Sequence, residues 1–154
     1  WIQPGVIDLF GELSRRGYQF LYLSARPLSQ VASTRGMLHE DIQLPLGPVL
    51  VSHDSSIKSL VREFTQKDQL MQFKINCLAD ISTAFVGCIC FAGAFGNRET
   101  DFICYTKAGI PVPSTVCIDS SACCKTQDGK WTFQSYLHLF QTQQALNQIF
   151  PRLL

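Results

Sequence analysis

Charge is scarce in this sequence, and what there is nearly cancels. Asp, Glu, Lys and Arg make up 16% of the 154 residues and leave a formal net charge of +1. A balance so near neutrality gives no electrostatic reason to expect a nucleic acid partner. Long apolar runs are missing as well. No window approaches the uninterrupted length of a membrane-spanning helix, and the first residues lack the basic-then-apolar pattern of a secretory signal. Internal repeats, low-complexity tracts and linkers are absent. Seven cysteines are present, but no pair with a two-residue gap is matched by a second one, so a zinc site is not indicated. Cys77, Cys88, Cys90, Cys104 and Cys117 lie in or beside apolar segments, where a free thiol acts as a small buried hydrophobe. Cys123 and Cys124 are adjacent and expected in a loop. An odd count in this setting implies a reducing compartment and no disulfide framework.

What is there is material for a core. Hydrophobic residues make up 46% of the chain, enough for one globular domain spanning residues 1–154. Apolar positions at helical spacing predict a helix from Pro4 to Arg16 that Gly17 ends. A strand over Tyr18–Leu23 follows, finishing at Ser24-Ala25-Arg26-Pro27. A second helix is expected from Ser29 to about His39, then a short strand, Val49 to Ser52. Asp54 or Ser55 can cap a helix to about Thr65, and a longer helix runs from about Asp68 to Phe85. Cys90 to Phe95 reads as a buried strand stopping at Gly96, followed by a helix from about Thr100 to Ala108. Val112–Ile118 is a further strand interrupted by Pro113, Gln127–Lys130 a turn, and Ser135–Phe150 a terminal amphipathic helix. Strands alternating with helices call for a parallel sheet covered on both faces.

Polar residues gather where two of those strands end. Asn97, Arg98, Glu99 and Asp101 follow Gly96 directly, at the end of an open α/β sheet where ligands bind. Asn97 and Asp101 supply hard oxygens suited to Mg²⁺, which takes few protein ligands and keeps phosphate and water as the rest. The alternative is a tight turn capping the next helix, with Asp101 as a first-turn acid. Ser24 and Arg26 end the other strand, offering a hydroxyl and a planar, permanently charged fork suited to phosphate. Their plainer roles are a turn hydroxyl bonding its own backbone and a weak surface ion pair. A lysine completes many such sites by neutralising phosphate; Lys67, before the long helix, is better placed than Lys74, inside it.

The pieces FLYLSARPLSQVASTRGML, LPLGPVLVS, FKINCLADI, FAGAFGNRETDFICYTKAGIPVPSTVCI and SYLHLFQ–IFP resemble, in that order, the C-terminal catalytic region of the lipins. Lipins are Mg²⁺-dependent phosphatidate phosphatases of the haloacid dehalogenase superfamily. The resemblance covers Trp1 to Pro151. It implies a Rossmann-like, haloacid dehalogenase-like α/β core that converts phosphatidate to diacylglycerol. By resemblance, Ser24 is the second-motif hydroxyl that holds the transferring phosphoryl and Lys67 the third-motif lysine. Asn97 and Asp101 resemble the fourth motif that helps to hold Mg²⁺, and Arg26, Arg35 and Arg98 are candidate phosphate or headgroup contacts. It also implies phosphatidate at a membrane surface as partner, lipin homo- or hetero-oligomers, and a cytoplasmic location peripheral to the endoplasmic reticulum, with the nucleus as a further site.

The departures from the family pattern carry as much information. The family's nucleophile belongs to a DxDGT motif on a strand upstream of all these pieces, with one aspartate attacking phosphorus and the other serving as acid and base. No D-x-D occurs in this chain, so the first catalytic strand is missing and residues 1–154 alone are expected to be inactive. A non-catalytic module that binds phosphatidate or a partner is the alternative. Lys67 is followed by Asp68-Gln69 instead of proline, which leaves the third-motif lysine between Lys67 and Lys74. Arg35 and the pair Ser135-Tyr136 are intact and suit packing. A basic amphipathic helix for the membrane and the LxxIL motif of nuclear lipins are both absent.

Overall fold

The computed structural model describes residues 2–52, 66–85, 88 and 90–153; the side chains of residues 66–69 lie outside that description. Helix α1 spans Val6–Arg15 and leads into strand β1, Tyr22–Pro27. A 3₁₀ turn, Leu28–Gln30, then α2, Val31–Gly36, and a π-helical turn, Met37–Asp41, precede β2, Val49–Ser52. Helix α3 covers Gln66–Ala84, β3 Ala94–Gly96 and α4 Glu99–Lys107. The rest is β4, Thr115–Ile118; β5, Cys124–Thr126; β6, Thr132–Phe133; α5, Tyr136–Gln141; and α6, Gln143–Ile149.

The strands form two separate sheets. In one, β1 pairs in parallel with β2, Tyr22 opposite Val49 and Ser24 opposite Val51. In the other, the order is β3-β4-β5-β6, with β3 and β4 parallel and the remaining pairs antiparallel. The parallel pairs carry the expected α/β, haloacid dehalogenase-like architecture. The buried core lies under α1, α5, α6 and the second sheet, with Leu9, Leu13, Val116, Phe133, Leu139, Leu146 and Phe150 at its centre. Successive residues of a strand face opposite ways. Phe95 accordingly stacks toward Phe10, Tyr136 and Phe150, while Gly96 turns to α4, which packs on α3.

Several boundaries differ from those read in the sequence. Strand β1 starts at Tyr22 and takes in Ser24 and Arg26, because Val49–Ser52 supplies a partner ladder that extends past the apolar run. Strand β3 is only Ala94–Gly96, so Cys90–Gly93 is approach rather than strand. Pro113 turns Val112–Ser114 into a 3₁₀ helix, so β4 starts at Thr115. Cys124 is in a strand, fully buried, and not in a loop. Its short hairpin with β6 makes the second sheet mixed, because antiparallel strands need only a tight turn between them. The terminal helix breaks at Thr142, whose ψ of 74° is not helical. The expected helix from Asp54 or Ser55 to Thr65 falls outside the described residues.

Candidate functional site

Asp101 is the best-fixed group of the expected site. It is 2% exposed, on the first turn of α4, and both of its oxygens are engaged. Oδ2 accepts from the backbone N–H groups of Asn97 (3.0 Å) and Arg98 (3.1 Å); Oδ1 accepts from Lys74 Nζ at 2.6 Å. The turn Gly96-Asn97-Arg98 closes tightly over it, and a Cβ at Gly96 would meet Asp101 Cβ at 2.6 Å. Glycine is needed here for close approach. Asp101 therefore does what a first-turn acid does: it satisfies N–H groups that the helix start leaves unpaired. Those N–H groups are consequently occupied and not turned toward a ligand.

Lys74 reaches Asp101 from α3, because Leu70 and Leu78 stand one turn to either side of it and Leu78 is buried. That i−4, i, i+4 pattern is the sequence signal that marks Lys74 as an inward lysine. Lys67 has its backbone in the first turn of the same helix; its side chain lies outside the described residues.

On the facing strand, Ser24 Oγ accepts the backbone N–H of Arg26 at 3.2 Å. This is the local turn bond, and it leaves the hydroxyl proton free to donate elsewhere. The Arg26 guanidinium leans on α2, with Nη1 3.4 Å from Thr34 Oγ1. Asn97 and Arg98 are exposed at the mouth. Ser24, Arg26, Lys74, Asn97, Arg98 and Asp101 all line one cavity of about 910 Å³ between the two sheets. Arg35 lies elsewhere: it is exposed and borders a second, smaller cavity with His39, Glu40 and Leu46. Ser135 caps α5, accepting from the His138 N–H, and Tyr136 is buried in the core.

Sequence reasoning missed Tyr105. Its hydroxyl donates to the Phe95 carbonyl at 2.7 Å, and burial pushes its pKa upward, reinforced by the nearby Asp101 carboxylate. Nothing but its position four residues after Asp101 distinguishes it in the sequence. Among the described residues no three His, Cys, Asp or Glu side chains gather as a metal site. Asn97 and Asp101 offer two oxygens at most, and one Asp101 oxygen is already opposite an ammonium. A hard cation needs more oxygen than this set provides, so these residues alone do not fit a resident Mg²⁺.

A family model described as LNS2 (Lipin/Ned1/Smp2) matches residues 1–151. The chain belongs to the lipin family. It is 32% identical to human phosphatidate phosphatase LPIN1 over 158 residues, covering 99% of this chain and 17% of that protein. Phosphatidate phosphatase PAH1 of Arabidopsis thaliana is 42% identical over 116 residues, 72% of this chain and 13% of its own. Phosphatidic acid phosphohydrolase 1 of Saccharomyces cerevisiae is 42% identical over 132 residues, 72% of this chain and 14% of its own. The chain thus spans less than a fifth of these lipin-family relatives. Residues of the lipin pieces SAR and AFGNRETD line its cavity.

Proposed function

We propose that residues 1–154 form the phosphate-holding part of a lipin-type phosphatidate phosphatase and turn over no substrate alone. The observation that carries this is the meeting of a hydroxyl (Ser24), three cationic groups (Arg26, Lys74, Arg98) and two oxygen donors (Asn97, Asp101) around one cavity. Cationic and hydroxyl donors that line one cavity favour an oxyanion bearing several charges. In this reading Ser24 donates to a phosphoryl oxygen, and Arg26 and Arg98 supply charge at the mouth. Lys74, instead of Lys67, is the neutralising lysine, because it already stands against Asp101. Arg35, outside the cavity, keeps only the role of contacting headgroups at a bilayer surface.

Mg²⁺ is the cation we assign to the complete enzyme, where it would shield phosphate charge; Asn97 and Asp101 would then contribute oxygens alongside donors absent from this chain. The absent D-x-D removes both the attacking carboxylate and the acid-base group, a loss worth many orders of magnitude in rate. We place the protein on the cytoplasmic side of the endoplasmic reticulum membrane, with the nucleus as a further site and other lipin chains as partners. No helix of the described residues is long and apolar enough to cross a membrane.

A vesicle co-sedimentation assay paired with a phosphate-release assay tests the reading. Residues 1–154 should sediment with phosphatidate-containing vesicles at least several-fold more than with phosphatidylcholine vesicles, and Arg26→Ala should abolish the difference. Phosphate release should stay at background with or without Mg²⁺. Equal binding to both vesicles would refute phosphate recognition. Mg²⁺-dependent release that Asp101→Ala abolishes would refute the inactivity.

A further inference from the structure

Strand β1 breaks its ladder within the residues that line the main cavity. Ser24 pairs with Val51, but the next paired residue is Pro27, opposite Ser52, so Ala25 and Arg26 stand out of register. An irregularity of this kind bends a strand and re-aims a side chain. Here it brings the Arg26 N–H onto Ser24 Oγ at 3.2 Å and sends the guanidinium across to α2 and the turn after it. Nη1 donates to Thr34 Oγ1 at 3.4 Å, and Nη1 and Nη2 both donate to Met37 Sδ at 3.9 Å. Thr34 and Met37 are three residues apart and so lie on one helical face. Thr34 is 2% exposed, and a β-branched side chain is stiff about its first torsion.

These contacts decide which side of the guanidinium stays open. A sulfur that both terminal nitrogens reach equally lies off the edge between them, and Thr34 takes the other Nη1 hydrogen. The outer Nη2 hydrogen and the Nε–H remain, side by side. That pair is the fork that matches two oxygens of one phosphate. Both anchors are uncharged, so they orient the cation without neutralising it. Arg26 has no ion pair among the described residues, and the sequence holds no Asp or Glu between Glu12 and Glu40.

We propose that Thr34 and Met37 are positioning residues that hold Arg26 with its Nε–Nη2 edge open as a two-point clamp for a phosphoryl group, and that this clamp favours monoesters over diesters. A monoester presents three terminal oxygens. Two meet the Arg26 fork, and the third accepts from the Ser24 hydroxyl, whose own oxygen is already engaged by the Arg26 N–H. A diester has only two such oxygens, and its second ester group stands where the third is wanted. The inference rests on the phosphate-holding reading of this cavity. It adds the residues that make the arginine a fixed fork instead of a loose charge.

The test uses residues 1–154 and phosphatidylcholine vesicles carrying either phosphatidate or phosphatidylglycerol, a diester. The phosphatidylglycerol content is raised until both vesicles have the same electrophoretic mobility. Wild type should co-sediment with the phosphatidate vesicles about fivefold better. Thr34→Val, which removes the hydroxyl at near-constant size, should cut that ratio about threefold, and Thr34→Ser should restore it. Met37→Leu, which removes only the sulfur, should lower it about twofold. Arg26→Lys keeps the charge and loses the fork, so its ratio should fall close to parity. A proton–nitrogen correlation spectrum gives a second readout. The Arg26 Nε–H signal should move downfield with glycerol phosphate, stay in place with glycerophosphocholine, and lose most of that response in Thr34→Val. A wild-type preference that Thr34→Val, Met37→Leu or Arg26→Lys leaves unchanged overturns this inference alone; should Thr34→Val fail to fold, Met37→Leu and Arg26→Lys decide it. Wild type that binds both vesicles equally refutes the phosphate reading and this inference with it.

Discussion

At the scale of single residues, the site turns on a contact that a sequence shows only indirectly. Gly96 and Asp101 read as a strand stop and a candidate metal ligand, yet in three dimensions the glycine exists to let the carboxylate fold back over the turn. A methyl group at position 96 would press on the Asp101 Cβ at 2.6 Å and on its Oδ2 at 2.9 Å. The carboxylate cannot yield without breaking its bonds to Asn97, Arg98 and Lys74. Gly96→Ala should therefore cost about 1–3 kcal/mol. Asp101→Asn keeps the shape but strands Lys74. Removing one member of a buried ion pair commonly costs several kcal/mol; since Lys74 keeps 19% of its side chain in contact with solvent, about 2 kcal/mol is expected. Asn97→Ala, at an exposed position, should change stability by less than about 0.5 kcal/mol. Urea denaturation of the three variants checks the order. A neutral Asp101→Asn would show that the carboxylate serves ligands and not the turn.

At the scale of elements, α1 and α6 are tied by a buried arginine that no motif announced. Arg16 is 1% exposed. Its guanidinium donates to Glu12 Oε1, to Asn147 Oδ1 and to the Phe150 carbonyl, each at 2.9 Å, and to Gln143 Oε1 at 3.2 Å. Arg16 ended the expected first helix simply because Gly17 followed. Its partners beyond Glu12, 127 to 134 residues away, were invisible without the fold. Long-range partners also explain the other misreadings: β1 extends because β2 pairs with it, and Cys124 is a strand residue because Ile118 lies opposite. Local signals did place α1, α3, α4 and β2 closely, since stripe and stop residues lie within the elements themselves. The Arg16 cluster gives a pH prediction. Its hydrogen bond, with help from Arg15, holds the Glu12 carboxyl below its ordinary value of 4.5. A lowered carboxylate contributes stability that is present above pH 4.5 and lost as pH falls through the folded value. Glu12→Gln should thus lower the melting temperature at pH 7 and flatten its fall as the pH drops below 4.5. Parallel melting curves for wild type and variant over that range would contradict the assignment.

At the scale of the whole molecule, the two sheets are unequally supported, and stability should follow. Val116, Ile118, Cys124 and Phe133 of the second sheet belong to the main core, joined by α1, α5 and α6. Strands β1 and β2 contribute no residue to that buried cluster; only Ser52 among them is buried. Alternating elements announced an α/β chain, but nothing local could announce that its parallel ladders fall into two blocks, because pairing is decided by which edges meet. Local opening takes least free energy where few apolar contacts are lost. Native-state hydrogen exchange in mild denaturant should therefore show Tyr22–Ser24 and Val49–Val51 exchanging first. The amides of Val116–Ile118 should open only with global unfolding, several kcal/mol higher on the scale of a small domain. Two blocks that already exchange together in the free chain would mean that α1, through Phe10, suffices to couple them.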